Sequence, residues 1–345
     1  MSTPKRVLTW LSACALTIMA QQAVAAEVGV PATGVGGAVT ASVDDLSAIY
    51  WNPAALGGHK VQIGLAIGGP DTNAASTFRK IAADPLNWQG AAHVRVATLT
   101  GAALGQWGGA MTADGSLDLE RTDATHAHGS ADYLSRYTIS GAHTLAKAPL
   151  GLGKLAFGAS ASALQGLQVT QSVAPDPGGV KTTTETYDGA GYALDLGASL
   201  KAAKGVLNFG VAWRNALADL NWHGQRTTAI DNGVAVTTSQ ADLPKRSSRP
   251  AANLVFGAAI SPPLLGLTAE VDVEQDGTMH YGLSKSFLFH ALTMRIGEKT
   301  APGGGAATIG VGAGVSLGPA HLDAAVSTAD HFKNFDMSVG TAFTF

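Results

Sequence analysis

Three carboxylates alternate along one short stretch, Glu270, Asp272 and Glu274, with His280 soon after and Arg295 one segment further on. Spacing at every second position puts the three on one face of a strand, and neighbouring strands can then pair them with His280 and Arg295. The same period places Asp195 and Arg214 on nearby strands. Such a constellation has two readings. It forms either a polar constriction that holds an inserted segment or lines a path, or a wall of internal ion pairs that only stabilises the fold. The second is the expectation adopted, and removing one partner should then cost on the order of 3 kcal/mol. Other reactive side chains lead nowhere. His126-Ala127-His128 has a metal-compatible spacing but lies beside Gly129 and Ser130 without further ligands. His143, His290 and His321 are scattered, and no histidine stands in a nucleophile motif. Gly303-Gly304-Gly305 lacks the Lys-Ser/Thr pair and the helix that a phosphate cradle needs. No enzyme activity, cofactor or metal is expected.

A second group of functional candidates sits early, within Ala41 to Leu56. Ser42 or Asp44 can open a helix, and Asp44 and Asp45 suit its positive end. One or two amphipathic turns follow before Asn52-Pro53-Ala54. Pro53 forbids continuation and pushes Asn52 toward an extended conformation. Asn52 is expected to satisfy loose backbone groups, and Trp51 to pack. The stretch is either a folded plug, a cap, or a tight turn before the first strand.

The elements that must position both groups are strands. From Lys60 onward the apolar residues alternate with period 2, and fourteen segments can be placed. They are Lys60–Gly68, Ala92–Ala102, Gly105–Thr112, Tyr133–Leu145, Lys154–Val173, Gly189–Lys201 and Val206–Trp213. Then come Ala252–Ile260, Leu265–Val273, Met279–Ser286, Ala291–Gly297, Thr308–Leu317, His321–Ser327 and Phe335–Phe345. Long polar connections are expected at Gly69–Ala91, Ala113–Asp132, Ala174–Asp188 and Arg214–Ala251, alternating with tight turns such as 201–205 and 261–264. Long loops on one side and short turns on the other mark a transmembrane barrel.

The strand faces agree. Leu267, Ala269, Val271 and Val273 oppose Thr268, Glu270, Asp272 and Glu274; Ile309, Val311, Ala313 and Val315 oppose Gly310, Gly312 and Gly314. An apolar exterior and a polar or small interior suit a wall around a wet or plugged lumen, and inward glycines leave space beside that wall. The chain ends on Phe345, which shares a face with Phe335, Met337, Val339, Thr341 and Phe343. Such a strand resembles the terminal signal of bacterial outer-membrane proteins read by their barrel-assembly machinery. Trp88, Trp107, Trp213 and Trp222 fall near segment ends and are expected in interfacial girdles. The fold class expected is all-β, a transmembrane antiparallel barrel of about fourteen strands with a short helical hatch in the lumen.

Bulk properties fit. Charged residues make up 14% of the 345, against about 25% in soluble proteins. The formal net charge of -3 argues against nucleic acid as a partner. Lys5 and Arg6, an apolar stretch from Val7 to Ala20 and Ala23-Val24-Ala25 form a signal peptide, with cleavage expected before Ala26. Leu11-Ser12-Ala13-Cys14 offers a lipoprotein alternative, but the apolar stretch runs on past Cys14, the only cysteine. The division expected is signal peptide 1–25, hatch 26–58 and barrel 59–345.

Gly37-Ala38-Val39-Thr40-Ala41, Asp44-Asp45-Leu46-Ser47-Ala48 and Asn52-Pro53-Ala54 resemble the outer-membrane long-chain fatty-acid transporter superfamily. Tyr192-Ala193-Leu194-Asp195-Leu196-Gly197 and Glu270-Val271-Asp272-Val273, followed by His280-Tyr281-Gly282 and Leu292 to Gly297, look closer to its shorter branch, the PorV/PorQ and conjugal-transfer TraF-like proteins. The resemblance implies fourteen strands, a lumenal hatch held through the Asn52-Pro53-Ala54 box, and outer-membrane lipid as surroundings. It also implies passive transport or binding of hydrophobic compounds such as fatty acids. The alternative it implies is an interaction protein with a secretion or conjugation partner.

Overall fold

The computed structural model describes residues 28–345 except 59–60, 70–88, 124, 146–152, 263, 289–290, 304–306 and 330–334. The expected signal peptide, most of Gly69–Ala91 and Trp88 therefore lie outside the described residues. Fifteen strands follow in order: β1 Gln62–Gly69, β2 Gly90–Leu104, β3 Trp107–Arg121, β4 Ala127–Leu145, β5 Lys154–Asp176, β6 Gly179–Ala202, β7 Leu207–Asp231 and β8 Val236–Ser248. They continue as β9 Asn253–Ile260, β10 Leu267–Glu274, β11 Met279–Phe287, β12 Leu292–Thr300, β13 Thr308–Leu317, β14 Ala320–Thr328 and β15 Asp336–Thr344. Consecutive strands pair antiparallel except β8 and β9, which both pair with β7, and β1 pairs with β15, so the barrel closes and, among the described strands, only β8 has an unpaired side.

The circuit has fourteen places because β8 and β9 share one. The lower half of β7, Leu207–Arg214, pairs with β9, and its upper half, Leu220–Asp231, pairs with β8. All fourteen expected segments fall on strands, and β8 is the strand the alternation did not reveal. Three of the expected long loops are corrected in the same way. Ala113–Asp132, Ala174–Asp188 and Arg214–Ala251 are mostly strand, closed by turns as short as Pro177-Gly178. Their sequence is polar and Thr-rich, and the few apolar residues, Leu117, Leu119, Leu220 and Trp222 among them, pack in small clusters too sparse to show a period; β-propensity was the remaining signal.

The wall is consequently uneven. Strands β9 to β15 have 8 to 10 residues, near the roughly 9–11 needed to cross a bilayer. Strands β5, β6 and β7 have 23, 24 and 25, so more than half of each extends beyond that requirement. Outward side chains of the shorter strands are exposed and apolar, among them Val271, Val273, Ile296, Val311, Val339 and Phe343.

The hatch occupies the lumen at the level of the short strands. It begins with helix α1, Val30–Gly34, which Pro31 opens from a position where a missing N–H costs nothing. A second helix, α2, spans only Ala48–Trp51. It starts from Ser47 rather than Ser42 or Asp44, because Asp45 Oδ1 accepts from the Ser47 N–H at 2.8 Å and from its hydroxyl, making a turn ahead of the helix. Asn52 ends it in an extended conformation (φ −155°, ψ 99°), as Pro53 requires, and a 3-10 turn, Pro53–Gly58, leads out. Val35, Val39, Val43, Leu46, Ile49, Trp51 and Leu56 pack together and reach Ala103 and Ala142 of the wall.

Inward glycines bring wall and hatch into backbone contact. A Cβ on Gly158 would meet Pro53 and Ala54, on Gly210 Thr40, on Gly297 Val35, and on Gly310 the carbonyl of Thr33. On Gly197 it would strike the side chain of Asn52. These glycines lie on five different strands, so the hatch is gripped from all round. We expect Gly297→Val to expel the hatch while the barrel still folds, seen as new protease cleavage within residues 28–58. Gly109→Ala, whose nearest contact would be an ordinary 3.7 Å, should leave the hatch protected.

Candidate functional site

Asp272, expected in a wall of ion pairs, instead receives the hatch. Its Oδ2 accepts the backbone N–H of Val39 at 3.0 Å and of Thr40 at 2.9 Å, and Glu270 Oε1 accepts that of Ala41 at 2.6 Å. Three successive N–H groups in a bend thus meet two carboxylates on alternate positions of β10. Gly257 makes room, since a Cβ there would collide with Asp272 Oδ1. His280 extends the grip, with Nδ1 2.7 Å from the Gly36 carbonyl and Nε2 2.9 Å from Glu274 Oε1. Neither Glu270 nor Asp272 has a cation among the described ion pairs.

Arg214 stands between wall and hatch. Its guanidinium lies 3.6 Å from Glu274 Oε1 and sits over the rings of Trp51 and Tyr50, at 4.9 and 5.5 Å. A cation over a desolvated indole is worth about 2 kcal/mol. The indole N–H of Trp51 donates to the Val28 carbonyl at 2.6 Å. Asn52, fully buried, donates to the carbonyls of Thr40 and Ala198 at 2.8 and 3.2 Å and accepts the Ala54 N–H at 3.1 Å. One side chain therefore ties together two hatch segments and the wall. Asp44 is exposed, and Arg295 belongs elsewhere, paired at 2.6 Å with Asp323 below the hatch.

Asp195 is brought to a different place, a break in the wall. It is 1% exposed, at a shift of register between β6 and β7. Its carboxylate accepts Arg136 Nη1 at 2.8 Å and the Asn215 N–H at 2.6 Å. Asn215 takes the left-handed conformation (φ 51°), which Asn tolerates better than most residues. Its side chain accepts from Arg136 and donates to the Ala251 carbonyl at 3.0 Å. Above it, Ala216 to Asp219 have no ladder partner toward β8 or β9. Opposite lie Arg249, Pro250, Ala251 and Ala252, with Pro250 contributing no N–H. Unpaired backbone is costly within hydrocarbon; here side chains satisfy the Asn215 N–H and the Ala251 carbonyl.

Sequence reasoning missed Arg136, Asn215 and Asp323. Inward parity with Thr138 and Ser140 would have flagged Arg136, whereas nothing local marks Asn215. Trp222 is corrected: it faces the lumen and is buried against Leu164, Ala193 and Leu220, not in a girdle. Trp107 and Trp213 do lie exposed on the outer surface. His126 pairs with Asp123 at 2.8 Å in a loop, where the N–H and hydroxyl of Thr125 hold the Asp123 carboxyl below its usual range. No group of metal-binding side chains occurs among the described residues.

The fold is thus a closed antiparallel barrel of fourteen places with a hatch in its lumen. Solved structures are similar to it in fold. The TodX monoaromatic hydrocarbon channel, in a deltaS2 mutant, aligns with TM-score 0.64 at 14% identity over 92% of this chain and 98% of its own. The toluene transporter TodX of Pseudomonas putida gives 0.59 at 13% identity over 94% and 100%. A FadL homologue of Pseudomonas aeruginosa gives 0.51 at 12% identity over 94% and 100%. At such identities the likeness is one of fold. No protein-family model matches the chain, and no curated protein matches it in sequence.

Replacing Asp272 by Ala should leave two hatch N–H groups buried without acceptors, at about 1–3 kcal/mol each. Faster amide hydrogen exchange at Val39 and Thr40 would report it. Asp272→Asn keeps one acceptor oxygen and should lose less.

Proposed function

We propose that the protein is an outer-membrane barrel that passes or holds hydrophobic compounds, such as fatty acids or monoaromatic hydrocarbons, without an energy source. The observation that carries this reading is the pairing of a filled lumen with an interrupted wall. Along the barrel axis a solute would have to displace a hatch tied by buried hydrogen bonds. Below the hatch it would enter a vestibule of about 730 Å3 whose lining includes Lys201, Asn208, Thr268, Arg295, His321 and Asp323. Those groups disfavour an apolar guest, which would separate them from water. Sideways, the ladder is interrupted between Asn215–Asp219 and Arg249–Ala252, where Ala216, Leu217, Ala218, Pro250, Ala251 and Ala252 stand beside Asn215, Asp219 and Arg249. A hydrophobic compound on that route would separate fewer polar groups from water than in the vestibule.

The names of the structural neighbours, a hydrocarbon channel and a FadL homologue, support the same class of guest. The secretion or conjugation reading draws no support from them. Delivery by a signal peptide at 1–25 and assembly through the final strand ending in Phe345 complete the proposal.

Uptake of toluene or oleate into vesicles carrying the purified protein tests it. Ala218→Trp, which adds bulk on the lumen side of the break beside Leu220, should bring uptake down to that of protein-free vesicles while the hatch stays protected from protease. Unchanged uptake in that variant would reject the sideways route. No uptake by the unaltered protein would reject the function.

A further inference from the structure

The outer surface of the tall wall carries a feature that transport through the break does not require. Two rows of cross-strand neighbours run over β4, β5 and β6: Tyr137–Ala163–Tyr192 and, one step lower, Ile139–Ala161–Leu194. In both rows an alanine sits between two large side chains. The inward alternation, with Ser160, Ser162 and Leu164 of β5 buried, fixes these rows on the outside. The result is a trough of about 670 Å3 along β5, bounded on its far flank by Leu217 of β7. Ala159 prolongs the floor, and half-exposed Phe157 follows at its lower end. The walls stand two strand spacings apart, about 9–10 Å between backbones, room for one chain between the flanking rings and not for a second.

What covers the trough follows from where it lies. It continues the apolar surface that faces hydrocarbon. Asp219 of β7 stands in the row of the two tyrosines, Gln165 and Asn221 follow one row above and Asp188 two rows above, so the upper end of the trough is at the head-group level. Tyr137 and Tyr192, 45% and 58% exposed, stand at that end, where a tyrosine ring can rest among acyl chains with its hydroxyl at the polar boundary.

We propose that this trough is a binding site for one acyl chain of an outer-leaflet membrane lipid, held between Tyr137 and Tyr192 over the floor of Ala159, Ala161 and Ala163. The chain lies along β5, packs against Leu217, and leaves its head group beside the two tyrosine hydroxyls. The site requires that the barrel lie in a membrane, but not that it transport anything.

The test uses the full chain reconstituted in vesicles of dioleoylphosphatidylcholine, then extracted in detergent and weighed by native mass spectrometry. The unaltered protein should retain one lipid through detergent exchange. Ala161→Leu with Ala163→Phe, or Ala163→Leu alone should the pair not fold, should retain none. Ala269→Leu, an outward change on the short wall, should retain the lipid. Retention that is equal in filled-trough and unaltered protein, or absent from both, overturns the proposal. Protease resistance of the reconstituted barrel scores membrane insertion separately, and vesicle uptake scores transport, so failure of either is distinct from failure of the lipid site.

Discussion

A polypeptide folded inside a β-barrel has to satisfy its own backbone against a wall whose backbone is already committed to the ladder. The hatch meets that constraint in two ways. Where it forms helices, α1 and α2, most groups are satisfied locally, but both helices are too short to be stable alone. Where it bends, at Val39 to Ala41, side chains of the wall supply the acceptors through Asp272 and Glu270. Placing two carboxylates there is expensive unless each is hydrogen-bonded, and the hatch provides those bonds. Wall and hatch therefore stabilise each other.

Close approach is the second half of the same constraint. A carboxylate can reach a backbone N–H only if the strands carrying it come within contact distance. The glycines at 158, 210, 257, 297 and 310 allow this. Their cost in unfolded-chain entropy is offset by a hatch core from which water is excluded, with Ala48, Asn52 and Leu56 fully buried. The inward row of Gly310, Gly312 and Gly314 looks from sequence like a weak strand. In the structure it is the surface on which α1 rests, apart from Gly314, which gives space to the Arg295–Asp323 pair.

The barrel was legible because each of its short strands crosses a sharp change of environment, and period-2 alternation reports that directly. Glu270, Asp272 and Glu274 could be placed on the inner face for the same reason. Their partners could not. Whether an inward carboxylate meets an arginine on the next strand or an amide of an inserted segment depends on the depth of the hatch, which no local pattern encodes. The tall ends of β3, β4, β6 and β7 and the whole of β8 were read as loops because their few apolar residues, such as Leu117 and Trp222, are too sparse to show an alternation. Asn215 was invisible because its role comes from a left-handed backbone and a register shift, which no residue beside it marks.

The break at Asn215 shows how the two regimes of the wall are joined. Below it, β7 pairs with β9 in the short, lipid-facing barrel; above it, β7 pairs with β8 in the tall sheet. A single strand cannot follow both partners without a change of course, and the left-handed Asn215 opposite the shifted register of β6 provides it. The bend would expose backbone groups of β7, so Asp195 accepts the freed N–H and Arg136 neutralises Asp195. With both buried, losing Arg136 would strand the carboxylate at a cost of roughly 3–5 kcal/mol. The same ion pair that holds the bend thus keeps Ala216 to Asp219 apart from β9. An uninterrupted ladder from β9 to β8 would be the more stable wall; the buried charge is what maintains the break in the ladder.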